Sequence, residues 1–141
     1  MRQKLAFAAS ASCVALIGLL AAGCGGAHRA VPVVTVTERD FKIQAPHVLP
    51  AGDLRIVVRN RGPVSHELLI VRATGERLPT RADGFTIDED ALHRRLIATI
   101  EPQSPGTHSS VLVHLAPGRY LLLCNMAGHA AGGMLTSFGV R

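Results

Sequence analysis

Aromatic residues are scarce in this chain, which has no tryptophan, one tyrosine and four phenylalanines among its 141 residues. Lysine and arginine outnumber the acids by 15 to 10, but the arginines are scattered rather than gathered in one run. Proteins that bind nucleic acids usually carry a clustered basic surface, often interleaved with aromatic side chains for base stacking. We therefore expect no nucleic-acid partner and interpret the basic excess mainly as solvated surface.

A long apolar run lies at the N-terminus, from Leu5 to Ala22, after the basic residues Arg2 and Lys4. A basic start, an apolar stretch and an end of small residues are typical of a secretory signal peptide. Serines within the run and the small residues at its end disfavour a permanent membrane span. The pattern predicts that residues 1–23 are a signal peptide and that the mature protein lies outside the cytoplasm, on the periplasmic or cell-surface side of a membrane.

The signal peptide ends in Ala-Ala-Gly directly before Cys24, which resembles a lipobox. A lipobox directs cleavage before the cysteine and acylation of its thiol, so Cys24 is predicted to anchor the protein to a membrane. Lipoboxes usually have leucine where this chain has Ala21, so an uncleaved anchor helix, or cleavage nearby with Cys24 left free, stays open. Cleavage before Cys24 leaves 118 of the 141 residues, enough for a short tether at 24–30 and one domain at 31–141.

Cysteine is also scarce, with three residues in the chain. Cys13 leaves with the signal peptide and Cys24 is the predicted lipid site, so Cys124 is the single remaining thiol. Exported domains usually use cysteines in disulfide pairs. A lone thiol in an oxidising compartment is open to oxidation unless it is buried or bound to a metal. An inert core cysteine is the simplest alternative, and the residues that follow Cys124 argue against it.

Cys124 is followed at equal spacing by His129 and Met134, in the run Cys-Asn-Met-Ala-Gly-His-Ala-Ala-Gly-Gly-Met. A trigonal copper site with a weak axial sulfur has a thiolate, two imidazoles and a thioether as its ligands. This run supplies all of them except the second imidazole. His66 offers that second imidazole. Steps of five residues scatter side chains around a helix and place them on alternate faces of a strand. The three residues can therefore converge only on a bent loop, which the glycines of this run permit.

Most of the remaining chain alternates short β-type segments with turn residues. Apolar and charged residues alternate in Leu54–Arg59, for example, which is the period-two pattern of a half-buried strand. A short helix is predicted at Asp88–Arg95, with acids in its first turn and arginines in its last. Strands are predicted at 31–37, 41–45, 54–59, 67–72, 97–100, 109–115, 119–124 and 138–140. Short strands with regular turns favour an all-β sandwich or barrel with one short helical excursion.

The order and spacing of these features resemble those of single-domain cupredoxins, the small blue (type 1) copper proteins such as plastocyanin and azurin. The resemblance covers most of residues 34–140. It rests on Asp40-Phe41, Pro50-Ala51-Gly52-Asp53, Asn60 through Leu69, Ala116-Pro117-Gly118-Arg119-Tyr120, Cys124 to Met134 and Phe138 to Val140. It implies a Greek-key sandwich of two sheets with one copper ion, cycling between Cu(I) and Cu(II), at one end. By position it implies His66, Cys124 and His129 as ligands in a plane and Met134 as the axial ligand.

The chain departs from the family at Ala130, because related sequences often have an aromatic residue directly after this histidine. We expect its loss to open the outer edge of the site. Backbone N–H groups near Asn125 and Ser65 are candidates for hydrogen bonds to the Cys124 sulfur. Met126 is expected in an apolar surface around the copper and not as a ligand. Zinc is the alternative metal, but structural zinc sites favour four strong ligands and seldom include a thioether.

The resemblance implies a monomeric one-electron carrier that works with redox partner proteins and is not an enzyme. His129 is expected nearest the surface, within an apolar contact patch of Met126, Ala127, Ala130 and Ala131. A copper-binding module for storage, delivery or sensing stays open. So does a basic face that meets an acidic redox partner or an anionic lipid. A copper oxidase or reductase is disfavoured, because the sequence has no His-x-His pair for a second copper cluster.

Overall fold

The computed structural model describes residues 30–141, which form two β-sheets packed face to face. The predicted signal peptide, Cys24 and nearly all of the predicted tether lie outside the described residues. Within residues 30–141, no helix is long and apolar enough to cross a membrane.

The described residues form nine strands and one short helix: β1 (Val33–Arg39), β2 (Lys42–Gln44), β3 (Val48–Leu49), β4 (Gly52–Asn60), β5 (His66–Arg72), α1 (Glu89–Leu92), β6 (Leu96–Gln103), β7 (His108–Leu115), β8 (Gly118–Leu123) and β9 (Leu135–Val140). The first sheet has the order β2-β1-β4-β7 and the second has the order β3-β9-β8-β5-β6. The β1–β4 and β3–β9 pairs are parallel, and the other neighbours are antiparallel. The predicted all-β sandwich of two sheets is confirmed.

Alternation of apolar and polar residues places one face of each sheet in the core. In β4, the apolar residues Leu54, Ile56 and Val58 are buried, whereas Arg55 and Arg59 are exposed. This is the pattern expected of strands with one face in water. The core between the sheets also contains the stacked rings of Tyr120 and Phe138, whose centroids lie 5.4 Å apart.

β5 is buried on both faces, because the segment between β5 and β6 covers the outer face of the second sheet. Leu69 and Val71 pack there against Ile87 and Leu92 in a second core cluster, while the other face of β5 packs in the main core. The strand that begins with His66 is therefore held by packing on two sides.

The structure differs from the predicted elements at one strand, at the helix and at several strand ends; β6, for example, ends at Gln103 rather than 100, and β9 begins at Leu135 rather than 138. β3 was not predicted, because two residues are too short to show a period. The helix is shorter than predicted: Asp88 is its N-cap and accepts a hydrogen bond from the Ala91 N–H at 3.2 Å, and a 3-10 turn at His93–Arg95 holds the expected basic residues. Acids do occupy the first turn of α1, as predicted.

Candidate metal centre

Three of the predicted side chains converge at one end of the sandwich. His66 begins β5, Cys124 directly follows β8, and His129 lies in the loop between β8 and β9. The Cys124 Sγ lies 3.3 Å from Nδ1 of His129 and 3.8 Å from Nδ1 of His66, and the two Nδ1 atoms are 3.3 Å apart. Within the part of the chain that the structure describes, this is the one group of three such residues with ligand atoms within 4.8 Å of one another.

Met134, the fourth predicted residue, is tied to the same end of the fold by its backbone. Its N–H donates to the His129 carbonyl at 2.9 Å, and its carbonyl accepts from the Cys124 N–H at 3.1 Å. Its side chain is fully buried in the main core cluster, which also includes Cys124. The structure therefore brings all four predicted residues together.

The loop from Cys124 to Met134 is bent and internally bonded, as its glycines predicted. Gly128 and Gly133 have φ values of 82° and 95°, a left-handed conformation that residues with a Cβ rarely adopt. The Gly128 N–H donates to the Phe85 carbonyl at 3.0 Å, which joins the loop to the segment before α1.

The Cys124 thiol is buried, and the carboxyl and backbone N–H groups around it act on its pKa in opposite directions. Burial raises its pKa, and the nearby carboxyl groups of Glu38 and Glu67 act in the same direction. Hydrogen bonds from the backbone N–H groups of Met126 and Glu67 oppose this rise. These two N–H groups lie one residue after Asn125 and two residues after Ser65, close to the positions that the sequence indicated.

His66 is fully buried, with Nδ1 facing the other two ligand atoms and Nε2 facing Asp40. Nε2 lies 3.2 Å from the Asp40 Oδ1, an ion-pair distance with angles outside hydrogen-bond geometry. Burial, followed by repulsion from His129, lowers the His66 pKa, and Asp40 partly offsets this. The neutral imidazole that results is the form that binds metals. A carboxylate behind a ligand histidine also fixes the ring's orientation.

Gly62 leaves the space in which His66 and Asp40 meet. A Cβ at position 62 would lie 2.7 Å from the His66 Nε2 and 2.8 Å from the Asp40 Oδ1. Asn60 holds this turn, because its Oδ1 accepts from the Gly62 N–H at 2.8 Å and its Nδ2 donates to the Val64 carbonyl at 2.7 Å. Only glycine fits this turn without displacing the histidine.

Asn125 fastens the loop to the segment between β5 and β6. Its Oδ1 accepts from the Ile87 N–H at 2.6 Å, and its Nδ2 donates to the Ile87 carbonyl at 3.2 Å and to the Glu89 Oε1 at 3.0 Å. Since Asn125 directly follows Cys124, these bonds hold the backbone next to the thiol.

An aromatic ring does contact His129, although position 130 is alanine. Phe41, in the turn between β1 and β2, places its ring centroid 5.5 Å from that of His129. Ala130 is half-buried and packs against the second core cluster. A cleft of about 150 Å³ beside it is lined in part by Ala131 and Phe85.

The donor set fits copper. A thiol sulfur and two imidazole nitrogens within 4.8 Å of one another, with a buried thioether tied to the same loop, match the soft and imidazole ligands that copper prefers. Zinc sites of this size favour a fourth strong ligand, and the described residues offer no fourth histidine, cysteine or carboxylate in this group.

Four residues that shape the site had no role assigned from the sequence, namely Asp40, Phe41, Gly62 and Asn125. All four belong to stretches that carry the resemblance, so position gave a partial signal. The contact each one makes depends on residues far away in the chain, which no local pattern reveals.

Comparison with known proteins agrees with this geometry. The family model of the sulfocyanin (SoxE) domain matches residues 37–140. No curated protein matches the chain significantly.

Several solved structures share the fold. Dithionite-reduced auracyanin from the photosynthetic bacterium Roseiflexus castenholzii is 17% identical, with a TM-score of 0.57 over 80% of this chain and 99% of that one. Auracyanin B is 21% identical, with a TM-score of 0.60 over 78% of this chain and 88% of its own. An azurin from Methylomonas sp. strain J is 16% identical, with a TM-score of 0.56 over 79% and 99%. At these identities the likeness shows the fold, and the family follows from the domain match. Because that match spans more than half of the chain, the chain belongs to the sulfocyanin (SoxE) family of cupredoxins and is a blue copper protein with one copper ion.

Proposed function

We propose that this protein is a one-electron carrier outside the cytoplasm, with His66, Cys124 and His129 as copper ligands in a plane and Met134 on the axis. The convergence of a buried thiol and two imidazole nitrogens within 4.8 Å carries the proposal. Copper bound there supplies a one-electron couple between Cu(I) and Cu(II). The same four residues suit both oxidation states, so the chain has little to rearrange when an electron moves.

The surroundings of the ligands support a fixed geometry. Packing on both faces of β5 and the contact with Asp40 hold His66, while backbone hydrogen bonds join Met134 to Cys124 and His129. A preorganised site of this kind is what rapid electron exchange requires.

His129 offers the route to the surface, because it is half-buried while the other three ligands are fully buried. The predicted apolar patch flanks it in the chain: Ala127 and Ala131 are exposed, and Met126 and Ala130 are half-buried. A small apolar contact suits a carrier that must bind its partner weakly and leave quickly. The donor and acceptor are redox partner proteins, and we propose that the carrier is a monomer and not an enzyme.

The location is proposed from the N-terminal sequence. Residues 1–23 have the features of a lipoprotein signal peptide, and acylation of Cys24 would anchor the protein to a membrane through the tether at 24–30. The domain at 31–141 would then work at the outer side of that membrane.

Voltammetry of the copper-loaded protein tests the carrier function. We expect a reversible one-electron wave and rapid electron exchange with a second redox protein. Tight copper binding with no reversible wave and no exchange would favour storage, delivery or sensing of copper instead.

A further inference from the structure

Phe41 is exposed although its ring contacts a proposed copper ligand. It lies in the turn between β1 and β2 with a φ of 56°, which is unusual for a bulky residue. The residue is 55% exposed, although its ring packs against His129. A Cβ on Gly132 would lie 2.5 Å from this ring, so the ring also rests on the ligand loop. Burial alone does not explain this arrangement, because the residue stays more than half exposed.

The residues around Phe41 are cationic. Arg39 pairs with Lys42 across the turn, and the Arg61 N–H donates to the Glu38 carbonyl at 2.8 Å, which brings Arg61 beside Arg39. Arg59 lies two residues before Arg61, on the exposed face of β4, where it pairs with Thr37 of β1. We call these four residues the basic rim: Arg39, Lys42, Arg59 and Arg61. Within residues 30–141, the salt bridges involve none of the four.

The basic rim lies beside the metal centre. A Cβ at position 62, which would lie 2.7 Å from the His66 Nε2, would also lie 3.3 Å from the Arg39 Cα. The one carboxylate in the turn, that of Asp40, faces His66 and is therefore directed toward the site. The positive charge of the basic rim is therefore available to pair with acids on a partner protein.

A second segment that contacts the ligand loop is rich in acids. Its Phe85 carbonyl accepts from the Gly128 N–H. Between residues 78 and 92 this segment has four acids and one arginine: Asp83, Asp88, Glu89, Asp90 and Arg81. A partner with a negative surface is therefore attracted to the basic rim and repelled from the acids of this segment.

Resting on the electron-carrier function proposed above, we propose that Phe41 and the basic rim form the docking surface for an acidic redox partner protein. Phe41 supplies the apolar contact next to His129, and the rim supplies long-range attraction and orientation. A membrane is the less suitable occupant, because a lipid surface on this face would cover the ring that contacts His129 and keep redox proteins away from it.

Two forms of one haem protein test the proposal: native cytochrome c, whose surface is basic, and the same protein with its lysines succinylated, which is acidic. Stopped-flow absorption would follow electron transfer from the reduced, copper-loaded full chain in detergent. We expect the rate with the succinylated form to fall as salt is added and to fall about tenfold in the triple variant R39Q/K42Q/R61Q. The native form should show the opposite response to both changes. The reduction potential of each variant, measured by voltammetry, separates docking from driving force.

The triple variant R94Q/R119Q/R141Q is the matched control, because it removes the same charge from exposed arginines away from the basic rim. An equal loss of rate in both triple variants would overturn the proposal, since net charge alone would then explain it. Equal rates with the two forms of cytochrome c at all salt concentrations would also overturn it, while leaving the carrier function intact. The absence of electron exchange with either form of cytochrome c would contradict the proposed carrier function itself.

Vesicles test the membrane as the occupant. If the rim faces a protein, R39Q/K42Q/R61Q should bind vesicles of phosphatidylglycerol and of phosphatidylcholine as the unmodified chain does. Selective loss of binding to phosphatidylglycerol, with unchanged electron-transfer rates, would assign the rim to a lipid surface and overturn the proposal.

Discussion

Replacing Glu38 with glutamine should stabilise the copper-free protein, and the gain should grow with pH. Glu38 points into the core from β1 and is fully buried, and neither carboxylate oxygen has a hydrogen-bond partner among the described residues. Burial, with a smaller contribution from Glu67, raises the pKa of Glu38 from 4.5 to about 7. The folded chain therefore holds this proton over a pH range in which the unfolded chain has lost it.

The size of the effect follows from that difference in pKa. The stability penalty is absent below pH 4.5, grows as pH rises, and is fully present above about 7, since the folded-state pKa is the higher one. At about 1.4 kcal/mol per pKa unit, E38Q should be more stable than the wild type by about 3 kcal/mol near pH ~8 and by less than about 1 kcal/mol near pH ~5.

Urea unfolding at the two pH values, with a reductant to protect Cys124, measures these free energies. Metal-free protein is required, because a nearby copper cation would favour the ionised carboxylate. Titrating groups that do not interact with Glu38, such as His66 with its lowered pKa, are common to both proteins and cancel in the comparison. The repulsion between Glu38 and Glu67 does not cancel, because E38Q removes it, and it is part of the gain expected at the higher pH. Asp90→Asn, at an exposed position, is the control for loss of one charge. A gain for E38Q that is the same at both pH values would refute the reasoning, because it would not come from ionisation.

Three further predictions concern the site and the anchor. Met134→Leu should keep copper and colour but raise the reduction potential, and Met134→Gln should lower it, because the axial donor affects Cu(II) more than Cu(I). Met126→Leu should leave it nearly unchanged, and voltammetry that shows the reverse would mean the axial ligand is wrong. Gly62→Ala should weaken copper binding about 10- to 100-fold by displacing His66, whereas Gly139→Ala, where a Cβ has only an ordinary contact at 3.9 Å, should not; equal titration curves would contradict this. Cys24→Ala should release the protein from membranes or block its processing, and an unchanged membrane fraction would instead indicate a retained helix.

The convergence of the four proposed ligands could be predicted from the sequence because each contributes a distinct chemistry. Cys124, His129 and Met134 are close in the chain, and the glycines between them signal the bend that unites them. His66 lies far away in sequence, and its place followed from the family resemblance. Alternating strands such as β4 predicted the sandwich for the same local reason.

Contacts between distant segments could not be predicted in this way. Glu38 looks like a polar residue at the end of a strand, and only the packed sandwich shows that it is buried. Phe41 contacts His129 because two loops meet at one end of the fold, while the sequence showed only that position 130 lacks an aromatic residue. Burial of the outer face of β5 by the segment between β5 and β6 did have a local signal. The unbroken apolar run Leu68–Val71 is typical of a strand buried on both faces.

The visible absorption spectrum of copper-loaded residues 25–141 tests the central claim most directly. A blue copper site should give an intense blue or green colour from charge transfer between the Cys124 thiolate and the copper. Cys124→Ser should abolish that colour, since it removes the sulfur. A wild-type domain that holds one equivalent of copper and is colourless would contradict the assignment of the site.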